Sequence, residues 1–380
     1  MELLIIAHEI QEYGNQGFNS ILNYVKGFNG NNEFKITVIT SSNGKHQEQD
    51  LGSVQIIYID IGKKDNLPLT NKEIINFNFK ATNLAYKIIE AKLLLNKKSF
   101  DGVHCFGGLP SGYIGYKINK KYNIPYIINL LGPDIPFYKK KFEYIDKLLF
   151  TKLSKIIWDK SQGLFCESNW LLDLAKMTGS STEIQLIYPG LINQEIKTPK
   201  DQKNFNILFI GKINESIPFI NFLRGFRKFS KNKENVNLNM FAYGGKTKEI
   251  EEYIKQKVLY KKINLQSFSP ELNFTKIYEK NNIFAIPYSQ EYVNKNILEA
   301  ISYGHPLLID KQSSGIELID ENSIIIDSCN YLDIANKLQI AYDNFTNLQL
   351  NKKPYNNLQT YDFQIMLNSY EKIYKMMITK

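Results

Sequence analysis

The stretch Ile283–Gly304 reads IFAIPYSQEYVNKNILEAISYG. It opens with a short apolar run that Pro287 stops, continues as a polar loop, and ends in a segment with helical spacing. Gly304 closes that segment, because glycine readily takes the left-handed conformation found just after helix ends. The pattern predicts a strand, a loop and a helix whose amino end is suited to binding an anion.

Two carboxylates lie in this stretch, Glu291 in the loop and Glu299 about one turn inside the helix. A carboxylate repels a phosphate, so we expect the pair to bind hydroxyl groups on either side of a diphosphate. A ribose would contact one carboxylate and a sugar ring would contact the other. On this stretch alone, the alternative that Glu299 is a solvated surface residue is preferred.

The spacing of Glu291 and Glu299 resembles the Glu-x7-Glu signature of retaining GT-B glycosyltransferases, especially the fourth glycosyltransferase family. The flanking residues follow the order of that family: Pro287, Leu298-Glu299-Ala300, Gly304-His305-Pro306 and Ser313-Ser314-Gly315-Ile316-Glu317. The resemblance implies that Glu299 binds the ribose of a nucleotide sugar. It also implies that Glu291 binds the ring of the donor sugar at the catalytic centre.

Length and composition limit the class of protein. A chain of 380 residues exceeds what one hydrophobic core usually supports, so two domains are expected. A hydrophobic content of 43% is typical of globular domains, and every apolar run is shorter than the roughly 20 residues of a membrane-spanning helix. The N-terminus reads as a first strand rather than a signal peptide. Three separated cysteines, Cys105, Cys166 and Cys329, favour reduced thiols in a cytoplasmic protein and indicate no metal site.

The net charge of +9 comes almost entirely from lysine, so a nucleic-acid partner is not expected. Segment Tyr138–Lys160 holds seven lysines against three acidic residues. Apolar residues recur in it at helical spacing: Phe142, Ile145, Leu149, Leu153, Ile156 and Ile157. Two interpretations stay open, a packed helix with a solvated lysine face or a surface that contacts an anionic membrane.

Short apolar runs alternate with longer amphipathic segments, which predicts parallel sheets covered by helices. A first series of strands is predicted at Leu3–Ala7, Ile36–Thr40, Val54–Ile59, Val103–Phe106, Tyr126–Leu130, Leu164–Cys166 and Gln185–Tyr188. A second series is predicted at Ile207–Ile210, Leu238–Ala242, Ile263–Gln266, Ile283–Ile286, Leu307–Ile309 and Ile324–Ile326.

The predicted fold class is therefore α/β, with two Rossmann-like doubly wound domains facing across a cleft, as the resemblance to GT-B proteins implies. Residues 1–190 would form the acceptor-side domain, 191–204 a linker, and 205–360 the nucleotide-sugar-binding domain. Residues 361–380 would form a C-terminal helix that packs back on the N-terminal domain.

The glycine-rich loop after the first strand contains Gly14, Asn15 and Gly17. Glycines let a backbone approach a ligand closely, and the resemblance implies that amides of this loop face the donor diphosphate. A plain strand-to-helix turn fits the same residues equally well.

The resemblance assigns other donor contacts to the second half of the chain. Lys212 matches the first cation that the family uses to bind the diphosphate, whereas Ile217-Pro218 replaces the second. Tyr292-Val293-Asn294 stands where the family has Gly-Phe-Gly, with amides near the donor sugar and diphosphate. Ser267 and Phe268 end the strand that usually meets the nucleotide base.

On the acceptor side, Leu131 stands where the family often has a histidine or arginine, and Asp134 follows at the end of that motif. His8 or His104 could replace the missing polar side chain from a neighbouring strand end. Each could equally be a strand-end histidine whose hydrogen bonds are satisfied within the protein, which is the commoner case.

The predicted function is transfer of a sugar, with retention at the anomeric carbon, from a nucleotide-diphosphate sugar to an acceptor hydroxyl. A UDP-sugar is favoured as co-substrate, Glu291 and Lys212 are the catalytic candidates, and no tightly bound cofactor or metal is expected. The acceptor would be a glycan, a lipid-linked saccharide or a protein-linked glycan, and the reaction would belong to bacterial envelope polysaccharide or glycoconjugate synthesis. The protein would be cytoplasmic, with peripheral contact to the inner face of the plasma membrane through Tyr138–Lys160.

Two alternatives to this function stay open. One comes from the departures at Leu131, Ile217-Pro218, Tyr292 and Asn294, and is a catalytically degenerate partner or binding subunit with the same fold. The other is a nucleotide-sugar epimerase, which would alter the sugar nucleotide without an acceptor.

Overall fold

The structure is a computed structural model. It describes residues 1–8, 21–42, 46–62, 71–95, 99–138, 144–191, 203–213, 215–269, 272–288, 295–321, 323–346 and 358–379. These residues form two compact units. Unit 1 holds the described residues up to Gly190 together with those from Phe363 onward, and unit 2 holds those between Leu191 and Asp362.

Unit 1 is built on an eight-stranded sheet with the spatial order β3-β4-β2-β1-β5-β6-β7-β8. All neighbouring strands are parallel except β3, which is antiparallel to β4 at the edge. The strands are β1 (Glu2–Ala7), β2 (Lys35–Ser42), β3 (Gln47–Asp50), β4 (Val54–Asp60), β5 (Gly102–Phe106), β6 (Tyr126–Leu130), β7 (Gly163–Cys166) and β8 (Ile184–Leu186). The sequence pattern missed β3, because its four polar residues are all exposed and show no apolar periodicity.

Helices cover both faces of this sheet. The helices are α1 (Ile21–Gly27), α2 (Asn71–Leu94), α3 (Tyr113–Tyr122), α4 (Tyr144–Trp158), α5 (Asn169–Lys176) and the C-terminal helix (Phe363–Thr379). Side chains of α2, α3, α4 and α5 share one hydrophobic core, whereas α1 and the C-terminal helix share the other. The C-terminal helix buries Leu367, Tyr370, Tyr374 and Met377 in unit 1.

Unit 2 contains six parallel strands in the order β11-β10-β9-β12-β13-β14, the order of a doubly wound Rossmann sheet. The strands are β9 (Phe205–Lys212), β10 (Val236–Tyr243), β11 (Ile263–Ser267), β12 (Ile283–Ile286), β13 (Leu307–Asp310) and β14 (Ile324–Ile326). The helices are α6 (Ser216–Ser230), α7 (Thr247–Gln256), α8 (Phe274–Lys280), α9 (Lys295–Ser302) and α10 (Tyr331–Thr346). The predicted α/β architecture with two parallel sheets is confirmed.

Helix α4 does not pack as expected for a helix that buries its apolar residues and exposes only a lysine face. Ser154, Ile157 and Trp158 form its buried face, whereas Leu149 is 62% exposed and Ile156 is 52% exposed. Leu153, between them on the same row, is also exposed. The expectation that this apolar row packs into the core is therefore wrong for these three side chains. The neighbouring face of the helix, which carries Trp158, is buried in the core instead.

Candidate functional site

The carboxyl ends of β9, β10 and β11 meet at one edge of the sheet in unit 2. Lys212 is in register with Tyr243, and Ala242 is in register with Ser267. The ladder that joins β9 to β12 consists of the pairs Ile207–Ile283 and Leu208–Phe284. The sheet therefore opens beside the last residues of β9, at the point where the strand order reverses. Ligands of doubly wound sheets bind in such a crevice.

Lys212 ends β9 with an exposed side chain, beside the turn that follows β10. Gly244 in that turn has φ +109°, a conformation that other residues rarely adopt. A Cβ on Gly244 would lie 2.7 Å from the carbonyl oxygen of Ile213 and 3.0 Å from Cγ of Lys212. The glycine thus lets the turn lie directly against the strand end that carries the predicted cation.

A second cation lies at the same edge, and the sequence analysis missed it. The backbone N–H of Lys246 donates to the carbonyl oxygen of Ile213 at 3.2 Å, which ties this residue to the end of β9. Its Nζ lies 3.1 Å from Oε2 of Glu249. Hydrogen bonding by the Ser216 side chain, followed by that of Lys246, holds the pKa of Glu249 below its usual range. The glycine pair before Lys246 was the only signal for this residue in the sequence.

Lys246 matters because the expected second cation is replaced. Ser216 is the first residue of α6, and the adjacent Ile217 is 72% exposed. The Lys246–Glu249–Ser216 contacts thus bring a lysine from the β10–α7 turn toward the start of the helix that carries Ile217. An exposed isoleucine there offers no interaction with a phosphate.

Aromatic side chains lie next to the two lysines at the same edge of the sheet. The Phe268 N–H donates to the carbonyl oxygen of Ala242 at 3.0 Å, which holds the end of β11 against β10. The Phe268 ring lies 5.4 Å from that of Tyr243 and 5.2 Å from that of Phe274, measured between centroids. Ser267 is exposed beside them. Aromatic faces of this kind can stack on a nucleotide base.

Helix α9 closes the opening beside β9. The side-chain amide of Asn296, in its first turn, donates to the carbonyl oxygen of Ile210 at 3.0 Å. Tyr288, just after β12, packs its ring on Phe209 and Phe219. Asn296 precedes Glu299 by three residues and therefore lies on the same side of the helix. This spacing was the signal by which Asn296 could have been found.

Glu299 lies in the interface between α8 and α9 and is only 2% exposed. The Tyr278 hydroxyl donates to its Oε2 at 3.0 Å, and the Tyr278 ring stacks on that of Tyr303 with centroids 4.8 Å apart. Burial, followed by the charge of Glu299, raises the pKa of Tyr278. The alternative that Glu299 is solvated surface is therefore wrong. Its role toward a ribose stays a prediction.

In unit 1, His8 and Asp134 lie near the segment that follows β5. The imidazole Cε1 of His8 lies 3.8 Å from the position of a Cβ on Gly107. Oδ1 of Asp134 accepts from the Leu131 N–H at 2.9 Å, and its Oδ2 accepts from the Gly108 N–H. Burial raises the pKa of Asp134, and the backbone hydrogen bonds oppose that shift. Two of the three acceptor-side candidates thus adjoin one backbone segment at the carboxyl end of β5.

His104 lies apart from them, fully buried beneath the C-terminal helix. Its Nε2 donates to Oδ1 of Asn129 at 3.0 Å, and its Nδ1 accepts from the Tyr374 hydroxyl at 2.6 Å. Burial lowers the pKa of His104 to about 3, so the ring is neutral at physiological pH. These contacts fit the alternative of a satisfied strand histidine, and His104 is left out of the proposed site.

The remaining predicted donor residues lie outside the described residues: Gly14, Asn15, Gly17, Glu291, Tyr292, Val293 and Asn294. Among the residues that the structure does describe, no cluster of three or more histidine, cysteine or acidic side chains is arranged to hold a metal. Cys105, Cys166 and Cys329 are free thiols, and burial raises the pKa of the first two. None of the described helices is long and apolar enough to cross a bilayer.

Comparison with known proteins gives a family match for part of the chain and similar folds for the whole of it. Residues 192–358 match the family Glycosyl transferases group 1. No curated protein sequence matches the chain. Among solved structures, the fold is similar to that of sucrose-phosphate synthase from Thermosynechococcus elongatus, with a TM-score of 0.77 and 13% sequence identity over 100% of this chain and 99% of that chain.

Two further solved structures carry nucleotides. The HepE protein of Anabaena in complex with UDP-glucose has a TM-score of 0.68 and 13% identity, with 99% of this chain and 100% of that chain covered. The catalytic domain of Starch Synthase IV from Arabidopsis thaliana, bound to ADP and acarbose, has a TM-score of 0.69 and 11% identity, with coverages of 100% and 99%. The predicted GT-B fold is confirmed, and the predicted resemblance to group 1 glycosyltransferases is confirmed over residues 192–358.

Proposed function

We propose that the chain transfers a sugar from a nucleotide-diphosphate sugar, with a UDP-sugar favoured, to an acceptor hydroxyl with retention at the anomeric carbon. The observation that carries the donor part is the row formed by Lys212, Tyr243 and Phe268 on three adjacent strand ends. Neighbouring strands lie about 4.8 Å apart, so the row extends over about 10 Å. A cation at one end and aromatic rings at the other match the diphosphate and the base of a nucleotide.

In the proposed complex, Lys212 and Lys246 bind the diphosphate, while Phe268 and Tyr243 contact the base beside Ser267. Glu299 binds the ribose and Glu291 the hydroxyl groups of the donor sugar. The amides of Gly14, Asn15, Gly17 and Tyr292-Val293-Asn294 complete the contacts to the sugar and the diphosphate. This order follows the chemistry of each group, since cations stabilise phosphate oxygens and carboxylates accept hydrogen bonds from sugar hydroxyls.

The proposed reaction needs no protein nucleophile. The bond from the anomeric carbon to the diphosphate oxygen breaks as the acceptor oxygen attacks from the same face. The proton of the acceptor hydroxyl passes to the departing diphosphate, whose developing charge Lys212 and Lys246 stabilise. Catalysis would then rest on positioning and electrostatic stabilisation. The product is the nucleoside diphosphate and a glycoside of unchanged anomeric configuration.

For the acceptor we propose a glycan, a lipid-linked saccharide or a protein-linked glycan of the bacterial envelope, bound by unit 1 near His8 and Asp134. We place the enzyme in the cytoplasm, with Tyr138–Lys160 in peripheral contact with the inner face of the plasma membrane. The lysine excess of that segment and the exposed row on α4 support this location.

Calorimetric titration of the full chain with UDP, GDP and ADP tests the donor site, and we expect UDP to bind most tightly. Incubation with UDP-sugars and a panel of saccharide acceptors then tests transfer, with the anomeric configuration of the product read by NMR. Absence of binding by all three nucleotides would remove the donor-site assignment. A product with inverted configuration would contradict the retaining mechanism.

A further inference from the structure

Two helices on the same face of the sheet in unit 1 expose large apolar side chains. In α2, Ile75 is 68% exposed and Phe79 is 66% exposed, and their spacing of four residues places them on one side of the helix. In α4, Leu149, Leu153 and Ile156 form the exposed row. Isolated exposed apolar residues are ordinary, but a group of five on two helices of one layer is not.

The two helices belong to the helical layer that packs on one face of the sheet in unit 1. Phe77, Ala81 and Ala85 of α2 and Ile157 and Trp158 of α4 are buried in the same core. Both helices also contact the Gly108–Gly112 segment. Because their inner faces share a core, their exposed faces lie on the outer side of the same helical layer.

Lysines accompany both apolar rows. Lys72 and Lys80 adjoin Ile75 and Phe79 in α2, and Lys152 and Lys160 are exposed in or just after α4. The Lys80 amino group donates to the carbonyl oxygen of Asp60, a neutral acceptor. Apolar side chains bordered by lysines are typical of helices that lie in a membrane interface, because the long lysine stems let the charges reach the phosphates.

We propose that this outer surface of α2 and α4, the α2–α4 surface, binds an anionic phospholipid bilayer. It comprises Ile75, Phe79, Leu149, Leu153 and Ile156 with their neighbouring lysines. The proposal deepens the proposed function, because it rests on the peripheral membrane location and names the part of unit 1 that faces the lipid. The sequence pattern indicated only Tyr138–Lys160 as a membrane contact, and the proposed surface also includes α2.

Charge favours lipid over a second copy of the chain as the occupant. A twofold dimer through this surface would bring the same lysines of both copies together, because such an interface pairs one patch with itself. Like charges across an interface disfavour association. An anionic bilayer offers negative charge to the lysines and an apolar layer to the five side chains at once.

Flotation of the full chain with vesicles tests the proposal without any sugar donor. The vesicles contain phosphatidylcholine alone or phosphatidylcholine with phosphatidylglycerol. We expect binding to the anionic vesicles that is about tenfold stronger than to neutral ones and that weakens with added salt. The double substitutions Ile75→Ser/Phe79→Ser and Leu149→Ser/Ile156→Ser should each lower the partition coefficient about tenfold.

Leu332→Ser/Ile340→Ser on α10 is the matched control, since both side chains are also exposed but belong to unit 2. It should float like the unmodified chain, and thermal unfolding should show all three variants folded. Failure of the unmodified chain to float with anionic vesicles would overturn the proposal, as would unchanged flotation of both unit 1 variants. A concentration-dependent dimer that these variants abolish would assign the surface to a second copy instead. UDP binding is measured separately, so loss of the donor assignment and loss of the membrane surface are distinguishable.

Discussion

The Tyr278 hydroxyl donates a 3.0 Å hydrogen bond to the carboxylate of Glu299, and both side chains are buried between α8 and α9. The carboxylate of Glu299 in α9 is thus held in position by a side chain of the neighbouring helix α8. An ionised carboxylate in such a place depends on its donors, because burial removes the water that would otherwise solvate it.

Removing the hydroxyl should therefore affect both stability and donor binding. We expect Tyr278→Phe to lower the free energy of unfolding by about 1–3 kcal/mol, because a buried carboxylate loses a donor. UDP affinity should fall as well if the same carboxylate binds the ribose. Urea unfolding and calorimetric titration with UDP measure the two effects. Tyr260→Phe is the control, since Tyr260 is exposed, and equal behaviour of the two variants would contradict the role of this hydrogen bond.

Glu299 and Glu291 should respond differently to substitution. Glu299→Ala should weaken donor binding and raise KM, because its proposed contact is to the ribose, which does not change during the reaction. Glu291→Gln should mainly lower kcat, because its proposed contact is to the sugar that acquires charge in the transition state. Steady-state kinetics with a UDP-sugar separate the two. Unchanged donor affinity and unchanged rates in both variants would mean that the pair is misassigned.

Lys246 offers a test of the diphosphate contacts. Lys246→Met should weaken UDP binding about tenfold and leave UMP binding nearly unchanged, because in the proposed complex the lysine binds the diphosphate and UMP has only one phosphate. Lys255→Met is the matched control in α7, the helix that follows Lys246, where Lys255 Nζ lies 2.7 Å from Oε1 of Glu251. Calorimetry with both nucleotides gives the result. Equal loss in the two variants would indicate a general charge effect rather than a specific contact.

Because His104 is buried, the free energy of unfolding of the chain should depend on pH. Its pKa is about 3 in the folded chain and about 6.5 when unfolded, so the unfolded chain binds more protons between those values. The contribution of this residue to stability is therefore present above pH 6.5 and is lost as the pH falls toward 3. The loss is about 1.4 kcal/mol per pH unit, or about 2 kcal/mol between pH 7 and pH 5.

The variant His104→Gln should remove that part of the slope, whereas His46→Gln on the surface should keep it. Urea unfolding at several pH values between 7 and 5 measures both. The same pH slope in His104→Gln and in the unmodified chain would show that the buried histidine does not set the acid sensitivity.

Much of the fold was predictable from local patterns. Apolar runs located the strands of both sheets, and the exception, β3, is a polar edge strand held by pairing with β4. The strand and helix of Ile283–Gly304 were also predicted, with Gly304 at φ +71° after α9. These features depend on neighbours along the chain, so composition and periodicity are sufficient to reveal them.

The sequence by itself thus determined the α/β class, the two series of strands and the family motif that carries Glu299. Only the tertiary structure decided that α4 exposes Leu149 and Ile156, that His104 lies under the C-terminal helix, and that Lys246 joins Lys212 at one sheet edge. Each of these depends on which residues from distant parts of the chain meet. Periodicity can show that a face is apolar or that a cation is present, but packing alone decides what lies against it.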